Sequence, residues 1–110
     1  MNEWLIAFLL TETVEVPIYS LALTGKSVVT RLLLAFLPSL FTHPLVWLFV
    51  SQSNPRSYWW AVAESEVFAV LVEGIYLRGL RVRAAFLWSL LANASSLGVG
   101  MLLYRLWPHC

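Results

Sequence analysis

Four apolar runs, at about residues 3–23, 28–50, 57–77 and 83–106, take up nearly the whole chain. A helix rises about 1.5 Å per residue, so about twenty residues cross a hydrocarbon core about 30 Å thick, and each run has that length. In lipid every backbone N–H and C=O must be satisfied internally, which leaves helices or a closed barrel, and a chain this short has too few strands to close one. The chain is therefore predicted to be an all-α polytopic membrane protein: a single domain over residues 1–110, built as a four-transmembrane-helix antiparallel bundle. Charged residues are 12% of the sequence, against about a quarter in a soluble domain.

The separators are Thr24-Gly-Lys-Ser27, Ser51-Gln-Ser-Asn-Pro-Arg56 and Arg78-Gly-Leu-Arg81, all turn chemistry with charge. The first and third, with their flanks, hold Lys26, Arg31, Arg78, Arg81 and Arg83, whereas the opposite side has Arg56 and Arg105. Positive loops face the cytoplasm, so both termini are expected outside a cell (inner) membrane. Trp4, Tyr58, Trp59, Trp60, Tyr104 and Trp107 then form an outer aromatic belt. The acids within the first run, with no Lys or Arg ahead of it, point to a span rather than a cleaved signal peptide. A net charge of +1 with no basic patch implies no nucleic-acid partner. The lone Cys110 excludes an internal disulfide and a cysteine metal cage. The partner is the lipid bilayer, with a homo-oligomer or a larger membrane complex as further candidates.

Ionisable residues inside spans are costly and mark functional sites. Glu15 falls about 16 Å below Trp4, and His43 about 16 Å in from the opposite surface near Leu32. Glu66 lies about 12 Å and Glu73 about 22 Å below Tyr58, and Asn93 about 13 Å above Ala84. One polar group from each helix, namely Glu15, His43, Glu66 and Asn93, is thus expected at a common height, with Glu73 deeper. Helical spacing puts Glu12, Glu15 and Tyr19 on one face, and Ser39, His43 and Trp47 on another. Glu66, Glu73 and Tyr76 share a third face; Ser89, Asn93, Ser96 and Gly100 make a fourth. Pro17, Pro38 and Pro44 free the carbonyls of Thr13, Leu34 and Leu40, which need partners or a cavity.

Several carboxylates cannot stay ionised and unpaired in a dry layer; they hold protons or take up a cation. Carboxylates and an imidazole on separate helices form a donor set suited to Zn, Fe or Mn, so Glu15, His43, Glu66 and Glu73 are the expected ligands of a divalent metal. Glu12, Tyr19, Tyr76, Asn93 and Ser96 are the supporting polar groups, and no reaction is assigned. Two further readings use the same residues: a small proton- or cation-coupled transporter, and an accessory subunit of a larger complex in which His43 ligates a haem or pigment.

The length, the four spans and the acid in the first helix resemble the small multidrug resistance transporters, a likeness of architecture that implies cation or proton coupling. Glu15-Val-Pro17, Thr42-His-Pro44, Glu66, Glu73 and Asn93-Ala-Ser-Ser96 resemble, along nearly the whole chain, the motif order of a group of small bacterial four-helix membrane proteins. That resemblance implies the site and carries no activity with it.

Overall fold

In a computed structural model the described residues, 3–54 and 56–106, form four helices and no strand. They are α1 (Glu3–Ala22), α2 (Val28–Ser51), α3 (Tyr58–Gly79) and α4 (Ala85–Leu106). Each packs on two others, in the closed order α1–α2–α3–α4–α1, and among the described residues the diagonal helices meet through side chains rather than by close backbone approach. The result is a four-helix bundle whose axis is framed by four faces, one per helix. Trp107 of the expected aromatic belt and Cys110 lie outside the described residues.

The packing is inverted relative to a soluble bundle. Leu21, Leu33, Phe41, Ile75 and Leu87 point outward, while Ser39, Ser89, Asn93, Ala35 and Ala92 are buried. Without a hydrophobic drive between helices in lipid, small residues and polar contacts hold the interfaces. Helices α1, α2 and α4 are long and apolar enough to cross a membrane; α3 does not qualify by composition. The third of the four expected spans falls short there because α3 carries Glu64, Glu66 and Glu73. Its outward residues, Val67, Leu71 and Ile75, still match the apolar exterior of its neighbours.

The ends are set by local chemistry. Ser27 caps α2 by accepting from the Thr30 N–H at 3.3 Å. The Arg31 guanidinium donates to the Ser20 carbonyl at 2.8 and 2.5 Å, satisfying an acceptor in the last turn of α1 where a cation is favoured. After α3 the chain closes a Schellman turn: the Val82 N–H donates to the Leu77 carbonyl and the Arg81 N–H to that of Arg78, with Arg81 at φ 63°.

Gly74 sets the α3–α4 distance, since a Cβ there would lie 2.3 Å from Cδ1 of Phe86. Gly74→Ala is expected to cost about 1–3 kcal/mol by overpacking. The double variant Gly74→Ala/Phe86→Ala should recover most of that loss in unfolding from detergent micelles, and an equal loss in both would remove Phe86 as the cause.

Candidate functional site

Two carboxyl groups meet in the middle of the bundle, Glu15 from α1 and Glu73 from α3, each about 1% exposed. They neighbour one another, and neutral side chains bind both. For Glu15, Ser39 donates to Oε1 at 2.5 Å and Ser96 to Oε2 at 2.6 Å. For Glu73, Tyr19 donates to Oε1 through a short contact, joined by Asn93 Nδ2 at 3.1 Å, while Thr42 reaches Oε2 at 2.6 Å. All four helices thereby contribute to one network. No Lys or Arg is among these hydrogen-bond partners.

Proton counting constrains the network further. A hydroxyl has one proton to give and two lone pairs to offer. Thr42 Oγ1 lies within reach of two acceptors, Glu73 Oε2 and the Pro38 carbonyl at 3.0 Å. Ser96 Oγ likewise reaches both Glu15 Oε2 and the Asn93 carbonyl at 3.1 Å. If the acid holds a proton it donates to the hydroxyl, which passes its own to the backbone; if the acid is ionised the hydroxyl turns to it. Both states are therefore accommodated by rotating a hydroxyl, without moving a helix.

The pair forms the floor of a cavity of about 650 Å³. Its walls are apolar residues such as Leu10, Val46, Val62 and Leu97, and Tyr58, Trp59 and Tyr104 stand at the end where α3 begins and α4 finishes. Lining positions recur every three or four residues on each helix, for example Val62, Glu66, Ala69 and Glu73 on α3, so one face of each element builds the cavity.

The structure sorts the sequence-derived residues into three places. Glu15, Glu73, Tyr19, Asn93 and Ser96 share the network. Glu66 and His43 line the cavity but are not hydrogen-bonded to that network, with Glu66 two turns nearer the mouth than Glu73. Tyr76 stands apart: its hydroxyl donates to the Leu34 carbonyl at 2.9 Å, the acceptor left free by Pro38. Glu12 is buried, and neither of its carboxyl oxygens has a hydrogen-bond partner among the described residues.

The expected metal ligands are not assembled. Among the described residues no group of three or more His, Cys, Asp or Glu is placed to hold a metal ion. The reason is the position of His43, whose ring packs against Phe8, Trp4 and Trp47 at 5.6, 6.0 and 6.5 Å, with Nδ1 buried and without a hydrogen-bond partner among the described residues. The common height also involves Glu73 where Glu66 was expected. Ser39 and Thr42 were absent from the site drawn from sequence. Their i, i+3 spacing on α2 puts them on one face, but hydroxyls there are also ordinary packing residues, so the sequence places Ser39 beside His43 and Thr42 in a motif without marking either as a partner of the acids.

The role of Tyr76 is open to a double-mutant cycle. Tyr76→Phe should cost about 1 kcal/mol by leaving a carbonyl unpaired, and almost nothing when Pro38→Ala restores the helical N–H to that carbonyl. Equal costs in the two backgrounds would separate Tyr76 from the proline.

Comparison with protein-family models, curated proteins and solved structures finds no match to this chain.

Proposed function

We propose that this is an integral membrane protein in which Glu15 and Glu73 bind and release a proton in exchange for a monovalent cation reaching them through the cavity: a small proton- or cation-coupled transporter. The supporting observation is the pairing itself, two neighbouring buried carboxyls served only by neutral donors at the floor of an apolar-walled cavity. Two neighbouring like charges in a buried site repel each other, so the pair holds a proton until a cation replaces it. The hydroxyls of Thr42 and Ser96 suit either state, which keeps the exchange free of large rearrangement. A divalent metal at the same place would require His43 to leave its aromatic neighbours.

In this reading the protein lies in the inner membrane with the loops bearing Lys26, Arg78, Arg81 and Arg83 on the cytoplasmic side, and the cavity opens to the outside. The test uses purified protein in weakly buffered detergent solution with a pH indicator. Adding Na⁺ or methylammonium should release protons from the wild type, and Glu15→Gln and Glu73→Gln should each remove most of that release. Release that persists unchanged in both variants, or its absence in the wild type with either cation, overturns the reading.

A further inference from the structure

A second recess lies on the outside of the bundle, between α2 and α3. It holds about 310 Å³ and shares only Val46 with the central cavity. Leu45 and Phe49 of α2 and Phe68 of α3 wall it, and all three are exposed. Two polar groups of α3 interrupt this apolar lining. Glu64 is exposed, and no hydrogen bond or ion pair engages its carboxyl among the described residues. Ser65 is 4% exposed, and its hydroxyl has no hydrogen-bond partner among the described residues. A buried hydroxyl in a helix ordinarily settles on the carbonyl four residues back, as Thr42 does on Pro38; Ser65 is left open to something else.

Both groups stand near the start of α3. Glu64 is about 9 Å along the axis from Tyr58, and helical side chains lean toward the N-terminus, so its carboxylate rises toward Tyr58, Trp59 and Trp60. Those rings are exposed and of the kind that settles at headgroup level. A carboxylate turned outward from a bundle in lipid calls for a cation, and at that height the headgroup layer supplies one. A helix from a second copy is a poor occupant: at a diameter of about 10 Å, some 4 Å of its length, less than one turn, fills the whole recess.

We infer that this groove binds one phospholipid whose headgroup ends in a primary ammonium. The ammonium donates to Glu64, the Ser65 hydroxyl donates to a phosphate or ester oxygen of the same molecule, and an acyl chain lies along Leu45, Phe49 and Phe68. The N–H is what the site selects. A charge-assisted hydrogen bond to a carboxylate is about twice as strong as a neutral one, and a trimethylated ammonium has no N–H to give. The inference needs the chain to lie in a bilayer and is independent of the exchange at Glu15 and Glu73.

Native mass spectrometry of the full chain in detergent, titrated with dioleoylphosphatidylethanolamine or dioleoylphosphatidylcholine, counts the lipids on each protein molecule. One ethanolamine lipid should bind about tenfold more tightly than its choline counterpart. Glu64→Gln, a change at an exposed position, should make the two lipids equal. Ser65→Ala should weaken both, since the phosphate and esters are common to them. Equal binding of the two lipids by the wild type, or a preference that survives Glu64→Gln, overturns the inference. So does a lipid-free dimer of the wild type that is lost in Glu64→Gln, which would give the groove to a second copy.

Discussion

Glu73→Ala is expected to destabilise the bundle by about 2–5 kcal/mol, while Glu73→Gln should stay within about 1 kcal/mol of the wild type. The alanine variant strips the acceptor from Tyr19, Thr42 and Asn93 together, all three of them buried. Glutamine reproduces the protonated acid. Its Oε1 accepts from Tyr19 and Asn93, and its Nε2 donates to Thr42 Oγ1, which turns its own proton to the Pro38 carbonyl already within 3.0 Å. Denaturant unfolding in mixed micelles separates the two. A glutamine variant as unstable as the alanine one would mean that the site needs an ionised carboxylate, contrary to a resting pair that holds a proton.

Gly100→Trp is expected to lower cation-driven proton release about tenfold or more while leaving stability unchanged or slightly raised. Gly100 lines the cavity between the acidic floor and the aromatic end, and a Cβ built there meets nothing within 4 Å. The indole therefore has room to fold into the passage, and replacing a glycine inside a helix removes a propensity cost of up to about 1 kcal/mol. An unchanged rate with an unchanged melting temperature would show that cations reach Glu15 and Glu73 by another route.

Much of the architecture was legible because hydrocarbon thickness and turn chemistry are simple constraints. Runs expected at 28–50 and 57–77 became helices Val28–Ser51 and Tyr58–Gly79, a difference confined to frayed ends. The run beginning at 83 starts as helix at Ala85, since Ala84 takes φ 56° in the turn before it. The site was less legible. Counting depth from each helix end ignores the sliding of one helix past the next, and so it put Glu66 rather than Glu73 at the height of Asn93. His43 shares a face with Ser39 at four-residue spacing, yet ring packing with Trp4 and Phe8 draws it away from the carboxyls that Ser39 and Thr42 reach. Such choices among neighbours on one face depend on partners distant in the chain, which periodicity alone does not reveal.

Those distant partners bear on how the chain is made. Glu15 receives its first donor when α2 emerges, but its second, Ser96, is 81 residues away on the last helix, and Tyr19 waits 54 residues for Glu73. A nascent chain that has delivered only its first hairpin to the bilayer thus holds acids whose companions are still in the ribosome. Release of that hairpin into lipid before α3 and α4 arrive would be resisted, so the insertion machinery must shelter it, and chains truncated before α4 should be cleared by membrane proteases rather than accumulate.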